Sequence, residues 1–233
     1  VLNSYEDIER VVKDPERFTP LMTLKVEEMQ SMLDQGEQLP NDASRFDLAM
    51  DSVRTLRPTA ALWRAHRQEL TDPWVGPGAK RHEAMIRAVA DELIDRWIDR
   101  NDGDGWGTVE FVDEFARALP QRVMANVLGF PPEDVGQLAL WGNAQVMQYV
   151  YGKGHMNMLD EESMLLQAKQ LDGFADYLAD QVAKKRRQPQ NDMISELTQV
   201  KYKALNRKLT DEEVYGIIYF MVLGGLETTQ YAL

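Results

Sequence analysis

A mainly α-helical chain with at most a little β is what this sequence predicts, and three features carry that prediction. Apolar residues recur at three- and four-residue spacing through most segments, as along one face of a helix. Segment starts carry side chains that cap helices, and segment ends carry glycine, proline or basic residues. The alternation that marks a half-buried strand occurs in one short place, Thr108-Val109-Glu110-Phe111-Val112.

Taken in order, Val1 to Thr19 reads as a strand end followed by a short helix. Ser4 is its N-cap, Asp7 lies in an acidic first turn, and Ile8, Val11 and Val12 form an apolar face. Leu21 to Leu33 has helical spacing, and a polar loop with Gly36 and Pro40 follows. Phe46 to Leu56 reads as helix and ends before Pro58. Thr59 to Leu70 makes a short helix bearing Trp63, Arg64, His66 and Arg67. Asp72-Pro73 and Gly76-Pro77-Gly78 interrupt the chain. Lys80 to Arg100 is a long amphipathic helix expected to bury Met85, Ile86, Val89, Leu93, Ile94 and Trp97.

Asp113 to Leu128 returns to helical spacing, with Pro120 predicting a kink or break, and Gly129-Phe130-Pro131-Pro132 stops it. Val135 to Tyr151 is helical, and Gly152 to Met158 is a loop rich in Gly and Met. Asp160 to Arg187 is a long helix whose closing Lys184-Lys185-Arg186-Arg187 reads as favourable charge at a helix C-terminus. Asn191-Asp192 opens a short helix to Val200. Thr210 with Glu213 forms a capping box that opens a final helix, in which the stretch Leu209 to Leu233 shows no interruption but glycine.

Composition narrows the function classes. Of 233 residues, 38 are Asp or Glu and 26 are Lys or Arg, a formal net charge of -12 that argues against nonspecific nucleic-acid binding. No cysteine is present, so disulfides and thiolate metal sites are excluded within this sequence. His66, His82 and His155 lie on separate elements without the paired spacing of a metal site. No Ser/His/Asp order, phosphate-binding loop or dinucleotide-binding glycine pattern is found. No signal peptide is recognised, and Glu227 interrupts the one candidate membrane span, Val214 to Leu233. The expectation is a soluble, cytoplasmic protein with no membrane or nucleic-acid partner. Starting at Val1 and stopping inside a helical pattern, the chain is expected to be a piece of a larger protein.

Two places invite a functional reading. Gly224-Gly225-Leu226-Glu227-Thr228-Thr229 puts two glycines inside a helix, where each costs roughly 1 kcal/mol relative to alanine. Phe220, Leu223, Gly224, Glu227 and Thr228 share one face, with Gly225 at its side. Such a notched face serves either close packing of a neighbouring helix or contact with a flat ligand beside an acid and a hydroxyl. Trp63 and Arg67, four apart, are either a surface cation–π pair or a donor pair for a carboxylate or phosphate.

The order of these features resembles the N-terminal half of a soluble bacterial cytochrome P-450, a haem-thiolate monooxygenase. Gly224-Gly225-Leu226-Glu227-Thr228-Thr229 matches the motif of that family's long central helix at every position. Trp63-Arg64-Ala65-His66-Arg67 resembles its haem-propionate helix. Leu128-Gly129-Phe130-Pro131-Pro132-Glu133-Asp134 resembles one of its turns, and Asn191-Asp192-Met193-Ile194-Ser195 and Leu209-Thr210-Asp211-Glu212-Glu213 precede the central helix as they do in the family.

The resemblance implies a partial cytochrome P-450 fold in which residues 1–233 are the N-terminal portion of a single domain, cut within the central helix. It implies a haem cofactor, dioxygen as co-substrate, and NAD(P)H electrons delivered through a ferredoxin and ferredoxin reductase or a similar donor. Glu227 and Thr228 would manage protons during dioxygen cleavage. Trp63 and Arg67 would bind a haem propionate, Gly224 and Gly225 would let the backbone approach the haem, and Phe220 and Leu223 would line the pocket of a small apolar substrate. The iron-ligating cysteine and the family's Glu-x-x-Arg segment are absent from this sequence and are expected after Leu233, so the fragment alone is expected to be inactive. The alternative reading is a helical interaction module derived from the same fold without catalysis.

Overall fold

The computed structural model describes residues 4–14, 17–18, 31–32, 34–36, 56–57, 59–99, 108–152 and 158–233. The strand end expected at 1–3, and most of the helices expected over 21–33 and 46–56, lie outside the described residues. Two compact units are present, residues 1–41 and 42–233. In the first, α1 (Tyr5–Val12) is capped as expected: the Asp7 N–H donates to the Ser4 hydroxyl at 3.1 Å.

The second unit carries the core. α2 (Ala60–His66) starts at Thr59, whose hydroxyl accepts from the Leu62 N–H at 3.2 Å, and it runs into a π-helical turn, Arg67–Thr71. A 3-10 segment, Gly76–His82, leads into α3 (Glu83–Asp99). Of the residues expected to bury along α3, Leu93 is buried, whereas Ile94 is 39% exposed. The apolar stripe is therefore narrower than its periodicity suggested.

The strand expected at Thr108–Val112 does not form. Residues 108–110 are irregular, and Val112–Ala116 is a π-helical turn. The aromatic residues decide this: Phe111 and Phe115, four apart, stack at 5.4 Å, and Trp97 of α3 packs on Phe115 at 5.7 Å. On a strand, residues four apart share a face but lie about 13 Å apart, so only a helical backbone brings these rings into contact. α4 (Ala118–Leu128) follows, so the break falls at Arg117, and Pro120 sits in the first turn, where a backbone N–H has no partner within the helix. Gly129 ends α4 at a left-handed φ of 82°, and a Cβ there would lie 2.5 Å from the Cβ of Asp192.

α5 (Val135–Val146) continues as a π-helical turn, Met147–Tyr151, and packs along α6 (Glu161–Arg187). Trp141 of α5 stacks on Phe174 of α6 with ring centres 5.0 Å apart. α7 (Met193–Gln199) and a two-stranded antiparallel hairpin, β1 (Lys201–Tyr202) with β2 (Arg207–Lys208), lead to α8 (Asp211–Gly225). The hairpin is the only sheet among the described residues. The capping box at Thr210 is present, its N–H donating to Glu213 at 2.9 Å and its hydroxyl accepting from the Glu213 N–H at 3.2 Å.

The basic run that closes α6 does more than complement a helix terminus. Lys185 is buried and bonds Asp192 at 2.5 Å and Gln190 at 2.6 Å. Arg186 donates to the Thr198 carbonyl at 2.9 Å and to Asp211 at the start of α8 through Nε, also at 2.9 Å. Arg207 and Glu213 form a two-pronged pair at 2.6 and 2.7 Å. Two charged junctions thus hold the start of α8, and Lys185 with Asp192 holds the start of α7. Asp192→Ala strands Lys185 as a buried, unpaired cation and removes the α7 cap. Urea unfolding is expected to show a loss of about 3–5 kcal/mol, against less than about 0.5 kcal/mol for Lys184→Ala, whose pair with Asp180 is exposed.

Candidate functional site

α8 is apolar nearly all round. Val214, Ile217, Ile218, Tyr219 and Val222 are buried, which places the helix through the core of its unit. Its C-terminal end departs from the straight helix expected from the sequence. Leu226 takes φ -91° and ψ -75°, and the chain resumes as α9 (Glu227–Ala232). The Leu226 side chain is 3% exposed and sits against α5 at Gly142, where an added Cβ would come within 2.7 Å of it. At the break the Thr228 hydroxyl donates to the Gly224 carbonyl, the acceptor that Thr228's own N–H would use in a regular helix.

The two glycines divide the two readings of the motif between them. A Cβ on Gly225 would meet the thioether of Met124 at 2.7 Å, so this glycine lets α4 pack close. A Cβ on Gly224 would meet nothing within 4 Å, so this one leaves an open notch. Both line a cavity of about 410 Å³, together with Phe220, Met221, Thr229, Met124, Val123, Pro120, Leu119, Ile86 and Val75. Sequence reasoning placed Phe220, Gly224 and Gly225 here and missed Thr229, Met221 and the α4 wall. Thr229 was open to inference, since it follows Gly225 by four residues. The α4 wall comes from a remote segment and left no local signal. Leu223, Glu227 and Thr228 do not line this cavity; Leu223 and Glu227 are half-buried and Thr228 is exposed.

Trp63 and Arg67 form the expected pair, the guanidinium carbon 5.8 Å from the ring centre. Arg67 also holds Asp72, through Nε at 3.1 Å and a terminal nitrogen at 3.0 Å, and Trp63 is 47% exposed. Next to them lies a group that the sequence did not single out. Arg57 is half-buried, its guanidinium 5.6 Å above the ring of Phe220, so it meets the helix that lines the cavity. His66 is 3% exposed, and among the described residues neither ring nitrogen has a hydrogen-bond partner. Burial first, then the charges of Arg57 and Arg67, depress its pKa to about 4. Among the described residues no group of three or more metal-ligating side chains is found.

The unfolded chain protonates His66 near pH 6.5 and the folded chain near 4, so its contribution to stability is complete above the first value and is lost as pH falls through the second. That shift corresponds to at most about 3 kcal/mol. His66→Leu is expected to flatten the acid side of the stability profile by up to about that amount, measured by urea unfolding across this pH interval.

Comparison with known proteins gives bacterial relatives over much of the chain. A polyketide biosynthesis cytochrome P450, PksS, from Bacillus subtilis is 25% identical over 229 residues, 98% of this chain and 50% of its own length. A steroid C26-monooxygenase from Mycobacterium tuberculosis is 29% identical over 157 residues, 66% of this chain and 38% of its own. The solved structure of Bacillus subtilis PksS superposes with a TM-score of 0.61 over 78% of this chain and 42% of that one. P450BioI, solved with an acyl carrier protein bearing hexadec-9Z-enoic acid, superposes with a TM-score of 0.65 at 21% identity, over 82% of this chain and 46% of that one. No family model matches the chain. The chain spans about half the length of the curated relatives that it matches end to end.

Proposed function

We propose that this chain, whose homologues over most of its length are bacterial cytochromes P450 and which carries part of their mainly α fold, is the oxygen-activating portion of a haem-dependent monooxygenase. The observation that carries the reading is the helix break at Leu226, where the Thr228 hydroxyl is bonded to the Gly224 carbonyl beside an apolar cavity.

The residues fit one side of a flat ring with acidic side arms. Gly224 opens on free space, Phe220 and Met221 give the cavity apolar walls, and Trp63 and Arg67 present N–H donors at the surface. Asp72 occupies part of the Arg67 fork, so a carboxylate arm would share that guanidinium with it or displace it. This sequence has no cysteine with which to ligate iron. Bound haem would supply reductive activation of dioxygen, with one oxygen atom inserted into the substrate and the other released as water.

The chain's own part is to place protons and exclude water. Thr228, its proton committed to the Gly224 carbonyl, keeps its lone pairs free to accept a hydrogen bond and so to hold a proton carrier in place. Glu227, next to it and half-buried, would exchange protons with solvent. Phe220, with Met221 beside it, would keep the substrate side apolar, matching a small apolar organic substrate. Electrons would come from NAD(P)H through a ferredoxin-type donor, and the protein would work in the cytoplasm; among the described residues no helix is long and apolar enough to cross a membrane.

In the full-length protein, Thr228→Ala is expected to lower product formed per NAD(P)H consumed by about tenfold, with hydrogen peroxide making up the difference. Thr228→Ser is expected to restore most of the coupling. Equal coupling in all three proteins would overturn the role given to the hydroxyl. Absence of the thiolate-haem absorbance band after reduction and exposure to carbon monoxide would overturn the cofactor.

A further inference from the structure

The end of α6 and the turn after α4 enclose a second cavity of about 650 Å³, within the range of small-molecule sites, about 300–1,000 Å³. It shares no lining residue with the cavity beside α8. Gln181, Lys184, Lys185 and Gln190 give it a polar wall, and Phe130, Pro131 and Pro132 an apolar one. No Asp or Glu lines it, in a chain whose formal net charge is -12. Two of the polar side chains are almost wholly buried and hold unused hydrogen-bonding capacity. Gln181 is 6% exposed, and among the described residues its amide has no partner. Lys185, equally buried, gives one N–H to Asp192 and one to Gln190, and among the described residues the third has no partner. Because Gln190 accepts from Lys185 through Oε1, its NH2 group is left to donate. A buried polar group without a partner calls for an explanation, and here the spare capacity is mostly donor.

We propose that this cavity binds a small organic acid, its carboxylate at the Lys185 end and its carbon skeleton against Phe130 and the two prolines. A carboxylate brings two acceptor oxygens and no donor, which matches the free N–H groups of Lys185, Lys184 and Gln190. A neutral amide of the same shape would turn its own N–H groups toward the two ammonium groups. Asp192 and Asp180 already balance those ammonium groups, so a doubly charged phosphate would find too little positive charge. The partial negative charge at the end of α6 is met by the four basic residues of its last turn and does not bar an acid. Gln181 supplies the remaining hydrogen bond, to a carboxylate oxygen or to a polar substituent on the skeleton. The site makes no use of haem, so it stands or falls apart from the monooxygenase reading.

The test titrates acetate, benzoate and octanoate, each beside its neutral amide, into full-length protein by calorimetry. At least one acid is expected to bind about tenfold more tightly than its amide. Gln181→Glu, which turns a carboxylate toward the ligand, and Lys184→Met are each expected to weaken that acid about tenfold, with the amides changed by less than about twofold. Gln181→Leu is expected to weaken the acid while the free protein unfolds at an equal or higher urea concentration, because the amide it removes has no partner to lose. A lower urea midpoint with unchanged acid affinity makes Gln181 a packing residue and overturns its part in the site. Acids that all bind no more tightly than their amides overturn the site itself. So does a preference for acid that survives in both Gln181→Glu and Lys184→Met, which places the acid elsewhere. If circular dichroism shows the glutamate variant unfolded, Gln181→Leu takes its place in that comparison.

Discussion

The position of the candidate site depends on one close contact, the side chain of Leu226 set against Gly142. A leucine reaches that depth only because α5 carries no Cβ at this point. Holding Leu226 there turns its backbone away from helical geometry and separates α8 from α9. At the break the Thr228 hydroxyl bonds the Gly224 carbonyl, Gly224 faces open space and Gly225 packs on Met124. A packing contact between two remote helices thus lies beside the polar feature to which chemistry is assigned.

That contact would place nothing accurately if α8 were free to slide. Its other end is tied by charge: Arg186 joins α6 to Asp211 and to the Thr198 carbonyl, Arg207 clamps Glu213, and Lys185 pairs with Asp192 at the start of α7. Of these, Lys185 with Asp192 is the buried pair; such a pair adds little net stability over apolar residues, but the loss of either partner is costly. Between the two ends, the stacked rings of Trp141 and Phe174 keep α5 against α6, and so keep Gly142 where Leu226 needs it. The site is an outcome of the core rather than an addition to it.

Much of this was legible in the sequence wherever the cause was local. The cap at Ser4, the capping box at Thr210 and Glu213, and the left-handed stop at Gly129 each follow from a side chain acting on backbone within a few residues. The motif at Gly224–Thr229 was legible as a notch with an acid and a hydroxyl near it. The strand expected at Thr108–Val112 failed because Phe111 answers to Trp97 and Phe115, a contact that alternation along five residues does not register. The basic end of α6 was read as helix-terminal charge because its partners Asp192 and Asp211 are separated from it in sequence and reach it only through the fold.

By itself the sequence determined that this is a helical chain, where most described helices start and stop, and that a glycine pair stands before Glu227 and Thr228. Those are matters of local propensity and spacing. The tertiary structure decided that the central helix breaks at Leu226, that Gly224 is open while Gly225 is packed, and that Arg57 meets Phe220. Each of these joins residues far apart in the chain. No periodicity carries such a pairing, because it depends on which side chains the completed core forces into contact and which polar groups it shuts away from water.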